Sequence, residues 1–446
     1  MAFDIIIGRN ESDRKKFGNK GVVYIGKSYV KMGQTTSLSN RLFLDVVRSH
    51  VVYVCGKRGS GKSYTLGVIA EGIVDLPEEI KNNISILLID TMGIYWTMKY
   101  KNDKDEDLLK QWGLEGRPLD VKIYTPAGFF KKQKEDGIPV DYSFTIAPKE
   151  LNAEDWCLTF GLKENDPVSV LIESILYNFS ENKIRDYSLE DIQKAVMKNK
   201  DVDRITRANA INHLNAAKSW GIFSKEATPM KNLVKGGQVS VIDISVFSAA
   251  GGGGWGVKAL VTGLICKKIF EERMLERKKE ELEAIKIGYS YFSQKQSVKS
   301  KERLPQSWIV LDEAHEFLPK TGKNAATDAL VTILREGRQP GVSLILATQQ
   351  PGKIHTDVMT QSDVVISHRI TAKPDVDALS SMMQSYLVSD LMSYLNNLPS
   401  ERGAAVILDD NSERIYPMRI RPRFTWHGGE APTAIEPKIE INLGLD

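Results

Sequence analysis

Residues 51–63 read VVYVCGKRGSGKS, and this stretch decides the fold. Val51–Cys55 is a continuous apolar run ending at a glycine, the signature of a strand covered on both faces in a parallel sheet. Gly56–Ser63 fits G-x-x-x-x-G-K-[ST]. That pattern needs glycines so that backbone N–H groups can turn inward around phosphate oxygens, a lysine to reach the terminal phosphates, and a hydroxyl for Mg²⁺. The expected ATP cradle is therefore Gly56, Lys57, Arg58, Gly59, Ser60, Gly61, Lys62 and Ser63, with Tyr64 just after it. Ser63 is the expected Mg²⁺ ligand. The following stretch, YTLGVIAEGI, reads as a helix whose positive end points at the anion.

Working outward, seven further apolar runs have strand length: Ile84–Ile89, Val121–Tyr124, Val239–Ile244, Trp308–Leu311, Val342–Ala347, Val364–Ser367 and Ala404–Leu408. Several are separated by helical patterns. That alternation predicts an α/β fold, a mixed or mainly parallel sheet covered by helices. Residues 151–235 differ, with apolar residues at helical spacing in Val168–Phe179, Leu189–Met197 and Arg204–Trp220. Pro167 is placed to open the first of these helices and Ser188 to cap the second. The expected organisation is a short N-terminal β segment over 1–47 and a first core part over 48–150. A helical insertion over 151–235, a second core part over 236–425 and a tail over 426–446 follow.

Finer expectations follow the same rules. Gly26-Lys27 predicts a hairpin turn between Gly21–Ile25 and Ser28–Met32. Ala249–Gly256 (AAGGGGWG) is too flexible for an element interior, so a long helix over 257–284 is expected after it. The lysine-rich segment 286–304 reads as a loop. The basic stretch Met418–Arg423 reads as an edge strand or as a cover for an adjacent ATP site.

Trp308–Leu311 leads into Asp312-Glu313, an apolar strand ending in two acids. Asp312 is expected to hold Mg²⁺ and Glu313 to polarise the attacking water. Asp90 ends another apolar strand and is a candidate to sit beside the metal or the water. Gln349, at the tip of the next strand, would touch the γ-phosphate or its water. Arg338 and Arg335 lie near a helix end and are candidates for a cation entering a neighbouring site. Residues 312–315 also spell DEAH, but 250 positions separate Lys62 from Asp312, far more than in the helicases that carry that signature.

Composition excludes several classes. Lys plus Arg is 60 against 57 Asp plus Glu, a net +3 that is not a disordered polyelectrolyte. The three cysteines form no C-x-x-C pair, so a zinc ribbon and a disulfide scaffold are unexpected and a reducing, cytoplasmic setting is expected. No apolar run is long enough for a membrane anchor.

The order GKRGSGKS, LLIDTMGIY, helical insertion, VIDIS, WIVLDEAHEFLP, LREGRQPG, LATQQP resembles the HerA-like ATPases of the HerA/FtsK branch of P-loop proteins, over residues 48–425. The resemblance implies a RecA-like core assembled as a homo-hexameric ring that hydrolyses ATP with Mg²⁺ and pulls double-stranded DNA through its pore. It also implies a NurA-like nuclease partner in DNA end processing or repair. It matches Lys62 and Ser63 to the phosphate loop, Asp312 and Glu313 to the acidic strand end, Gln349 to the sensor, Asp90 to the acid after the second core strand, and Arg338, then Arg335, to the arginine finger. Three positions depart from the family pattern: His50 stands twelve residues before Lys62 where an arginine is frequent, Ile94 replaces a glutamate, and Gln350 replaces an arginine. Only 55 residues precede Gly56, too few for the family's N-terminal β-barrel. For DNA contact, Lys320 and Lys323 in the loop after Glu313 are the candidates. Two other functions fit the same motifs, a motor for secretion or conjugation and a nucleotide-dependent scaffold with little turnover.

Overall fold

All eight apolar runs are strands in the computed structural model, which describes residues 3–32, 35–249, 254–291, 303–381 and 385–429. In chain order the strands are β1 (Ile5–Ile7), β2 (Val22–Met32), β3 (Thr35–Asp45), β4 (Val51–Cys55), β5 (Ile84–Asp90), β6 (Val121–Pro126) and β7 (Tyr142–Phe144). Then come β8 (Val239–Asp243), β9 (Gln306–Leu311), β10 (Val342–Thr348), β11 (Val364–His368), β12 (Ala404–Asp409) and β13 (Arg414–Ile420). They form one sheet in the order β1-β3-β2-β13-β12-β11-β4-β10-β9-β5-β8-β6-β7.

From β11 to β7 every pairing is parallel. From β11 through β12, β13 and β2 to β3 every pairing is antiparallel. The continuous apolar runs are explained by cover on both faces. Along β10, Leu344 and Leu346 join the core on one face, while Ile345 and Ala347 join the core on the other. The register is what builds the site. Thr348 pairs with Cys55, Leu311 with Leu346, Ile89 with Leu311 and Asp90 with Asp243. The chemistry-bearing residues therefore leave the sheet at one level, along the carboxyl ends of the strands, where open α/β sheets bind ligands.

Helix α1 (Lys62–Val74) follows the phosphate loop directly. Four helices fill residues 153–219: α2 (Ala153–Phe160), α3 (Pro167–Glu181), α4 (Leu189–Lys198) and α5 (Arg204–Ser219). Pro167 occupies the first turn of α3, and Ser188 caps α4 by accepting the Asp191 N–H. Trp156, Phe160, His213, Trp220 and Phe223 interleave to hold α2 and α5 together. Helix α6 (Gly254–Tyr291) is longer than its predicted span at both ends: Gly254 and Gly256 form its first turn, and residues 286–291 of the expected loop continue it as helix. Gly256 packs so closely on Thr159 that a Cβ would lie 2.3 Å from that carbonyl oxygen. Positions 250–253 and 292–302, and tail positions 430–446, lie outside the described residues.

Two expectations are corrected. Gly26-Lys27 is not a turn: β2 runs unbroken through it and pairs with β3, with register shifts flanking Gly26 and Lys27. Glycine is required there because β13 crosses so closely that a Cβ would sit 2.2 Å from the Arg419 carbonyl oxygen. The Met418–Arg423 stretch is neither an edge nor a cover. Its strand residues pair with β12 and β2, and Arg421 and Arg423 are buried against α1.

Candidate functional site

The phosphate loop is built between two anchors. β4 delivers Gly56, and the left-handed Gly61 (φ 114°) turns the chain into α1. Between them the Lys57 N–H donates to Arg369 O at 3.0 Å and the Ser60 N–H to Lys57 O at 3.2 Å. The Lys62 ammonium folds back and donates to Lys57 O at 3.2 Å. It is buried, and burial pulls its pKa below the ordinary lysine value, with the charges of Asp312 and Glu313 opposing. A buried ammonium at the start of a helix, behind a glycine-rich loop, is the arrangement that suits a phosphate group. Lys57, Arg58 and Gly59 are exposed on the rim. Ser60 Oγ is buried with no hydrogen-bond partner. Tyr64 faces away from the loop: its hydroxyl accepts the Arg423 N–H at 2.6 Å and its ring meets His427 edge-on.

β11 closes the loop from behind. His368 is fully buried, with Nδ1 3.1 Å from Ala404 O and Nε2 2.9 Å from Thr65 Oγ1. Burial pushes its pKa down to about 4, so the ring is neutral. A backbone carbonyl only accepts, so Nδ1 carries the proton and Nε2 is left as an acceptor facing the Thr65 hydroxyl, which also lies 3.0 Å from Gly61 O.

The acidic strand end meets this loop across β10. Ser63 Oγ donates to Asp312 Oδ2, which brings together a hydroxyl and a carboxylate, the oxygen pair suited to Mg²⁺. Burial raises the Asp312 pKa, with the Ser63 hydrogen bond opposing. Glu313 adopts a left-handed backbone (φ 51°), a strained conformation for a residue with a side chain. The strain turns its carboxylate toward β10, where Gln349 Nε2 donates to Glu313 Oε1. Glu313 Oε2 is buried with no hydrogen-bond partner among the described residues.

Residues 29–269, more than half of the chain, match the family model of the helicase HerA central domain. The chain belongs to the HerA family. A second model, of the zonular occludens toxin, matches residues 254–373. A DNA double-strand break repair helicase HerA of Pyrococcus furiosus is 28% identical over 181 residues, covering 39% of this chain and 31% of that protein. A probable DNA double-strand break repair helicase HerA of Methanocaldococcus jannaschii is 36% identical over 88 residues, 19% of this chain and 18% of that protein. The chain thus spans less than a third of the length of these two relatives in matched sequence. Among solved structures, VirB4 of Thermoanaerobacter pseudethanolicus superposes with a TM-score of 0.51 at 12% identity, over 90% of this chain and 96% of that one, a likeness of fold. Among the described residues no helix is long and apolar enough to cross a membrane.

The remaining family-matched residues have distinct settings. Asp90 caps its own turn: Oδ1 accepts the Met92 and Gly93 N–H groups at 3.2 and 2.7 Å, and Oδ2 accepts that of Tyr95 at 2.9 Å. Burial, then the neighbouring Asp243 charge, raises its pKa to about 7. Its carboxylate is occupied by the backbone of its own turn. Arg335 is held by Asp357 at 2.7 Å, whereas Arg338 is exposed and has no ion-pair partner among the described residues. Lys323 is paired with Glu154 at 2.6 Å and Asp328 at 3.1 Å. Lys320 is exposed with no ion-pair partner among the described residues.

Several residues of the site were not singled out from the sequence. His368 carries no local pattern, and His315 stands in the DEAH letters of 312–315 with no role assigned to it there. Glu71 in α1 is fully buried between Arg421 and Arg423, 350 and 352 positions away. His50, in the position where an arginine is frequent, is buried between Asp363 (2.6 Å) and Asp45 (3.5 Å) and keeps a cation there. The two carboxylates outweigh burial and hold its pKa up near 9.

Proposed function

We propose that this chain is an ATP-hydrolysing DNA translocase that works as a homo-hexameric ring on double-stranded DNA. The observation that carries the reading is the meeting of Lys62 and Ser63 with Asp312, Glu313 and Gln349 at one level of one sheet, in a HerA-family chain. In this reading the loop N–H groups and Lys62 bind the β- and γ-phosphates. Ser63 and Asp312 would hold Mg²⁺, which when bound neutralises phosphate charge. Glu313 orients the attacking water and takes its proton, and Gln349 fixes Glu313 and the water relative to each other.

Arg338, exposed and without an ion-pair partner among the described residues, is the better finger toward a neighbouring subunit; Arg335 already holds Asp357. Lys320 is the better DNA contact, because the charge of Lys323 is matched by two carboxylates. Six copies of one pore lysine would suffice for a phosphate track despite the net charge of +3. The names of the two HerA relatives support a place in DNA double-strand break repair. A NurA-like nuclease partner and a cytoplasmic setting belong to the same proposal.

The test is ATP turnover with and without duplex DNA, joined to particle images with a non-hydrolysable ATP analogue and duplex. The expected result is DNA-stimulated turnover and a six-fold ring around DNA. Hydrolysis by a stable monomer with no response to any DNA would overturn the translocase reading.

A further inference from the structure

One side chain beside Glu313 is not used by the mechanism above. His315 is largely buried, and its ring faces four side chains. Nδ1 lies 2.9 Å from Thr348 Oγ1 and 3.6 Å from Glu313 Oε2, and Nε2 lies 3.3 Å from Glu316 Oε1. Gln350 Nε2 is 3.5 Å from Nε2, and the Gln350 N–H donates to Thr348 Oγ1 at 3.0 Å. The imidazole therefore ties the end of β9 to the end of β10.

Glu313 needs such a tie. Its φ of 51° is strained, and Oε2 is buried without a donor. A buried acceptor without a donor is costly, and strain of this kind persists where the surroundings over-determine it. The Nδ1 of His315 is the group alongside that oxygen, and a small side-chain shift exchanges Thr348 for Glu313 as its partner. The far side of the ring leads to the candidate DNA loop. The chain past Glu316 is zipped onto the stretch after Gln350: the His355 N–H donates to Leu318 O and the Lys320 N–H to Lys353 O, both at 2.8 Å.

We infer that His315 is a positioning residue for Glu313, setting the second carboxylate oxygen while Gln349 sets the first, and that through Glu316 and Gln350 it joins Glu313 to the loop bearing Lys320. The inference rests on the proposed ATPase reading and adds to it a residue and a route for DNA stimulation.

The experiment compares H315A, H315N, H315Q and E313Q with the parent chain for kcat and KM of ATP hydrolysis, with and without duplex DNA, and for ATP-analogue affinity. H315A is expected to lower the DNA-stimulated kcat about 10-fold or more with analogue affinity within about three-fold, the split expected of a group acting on the general base. H315N keeps an amide near the Nδ1 position and is expected to recover most of the rate. H315Q, whose amide falls nearer Nε2, is expected not to. H315A turning over at the parent rate, a rise in KM with kcat unchanged, or rescue by H315Q but not H315N would each overturn the inference. If H315A fails to fold, the H315N and H315Q pair decides. E313Q separates the two levels: a fully active E313Q sinks the hydrolysis reading itself, whereas an inactive E313Q beside a normal H315A sinks only the role of His315.

Discussion

Removing the Glu71 carboxylate tests how the C-terminal segment is held on the phosphate-loop helix. Glu71 is 0% exposed and its two partners, Arg421 and Arg423, are 1% exposed. Oε2 accepts from Arg421 Nη1 at 3.0 Å and from the Phe424 N–H at 3.0 Å. Oε1 accepts from Arg423 Nε at 3.2 Å, from the Thr425 N–H at 3.1 Å and from the Thr425 hydroxyl at 2.6 Å. In Glu71→Ala both guanidiniums stay cationic, because arginine does not deprotonate in proteins. Breaking a buried ion pair from one side costs about 3–5 kcal/mol. The least costly escape is local: residues 421–425 lift off and hydrate. At about 4 kcal/mol that opening becomes about 10³-fold more populated. Hydrogen exchange should therefore show the Phe424 and Thr425 amides losing about 10³-fold of protection while β10 amides stay protected. If the variant instead unfolds as one unit, unfolding entropy of about 2.1 cal/mol/K per residue converts the same loss into a Tm only about 4 °C lower. Glu71→Gln keeps the shape but not the charge and should fall between. Unchanged exchange at Phe424 and Thr425 in a folded Glu71→Ala chain would refute the argument.

Other expectations concern chemistry, pH and packing. Glu313→Gln should bind nucleotide normally and lose at least about 100-fold in ATP turnover, while Lys62→Ala should also lose binding, as read by a fluorescent ATP analogue. His50 has its folded pKa raised from 6.5 to about 9, so its stabilisation is complete below pH 6.5 and disappears as pH rises through 9. The difference is worth up to about 3 kcal/mol, visible as a falling urea midpoint between those pH values that His50→Asn should flatten. Leu346→Ala empties a fully buried position on β10 between the two halves of the site, and chemical denaturation should report a loss of about 2–5 kcal/mol.

The central sheet was legible because its strands are local and unambiguous. Runs such as ISILLI and VSLILA have strand length and a high share of β-branched or leucine residues, which reads as a strand covered on both faces, and GKRGSGKS after VVYVC reads as a phosphate loop. What was illegible depends on distant partners. Gly26 looks like a turn residue until its β13 partner Ile420 arrives beside it, 394 positions later in the chain. β1 and β7 have three residues each, too short for any periodicity, and β13 mixes arginine, tyrosine and proline among its apolar residues. The site divides in the same way. Lys62, Ser63 and Asp312 announce their chemistry by neighbours in sequence, whereas Glu71, His315 and His368 acquire theirs from side chains in other elements. Asp90 reads as a catalytic acid by position, yet its oxygens are taken by three backbone N–H groups of its own turn.

The pairing of β2 with β13 also has a consequence during synthesis. Gly26 pairs with Ile420, so β2 leaves the ribosome 394 residues ahead of the strand that covers one of its edges. At about 5–20 residues per second the wait is about 20–80 s. During that interval β2 and β3, eleven residues each, are a two-stranded ribbon with an open row of donors and acceptors, the template for wrong partners. Crowded translation of many copies should therefore misassemble first at β2, and a nascent chain halted before residue 414 should present that edge to chaperones.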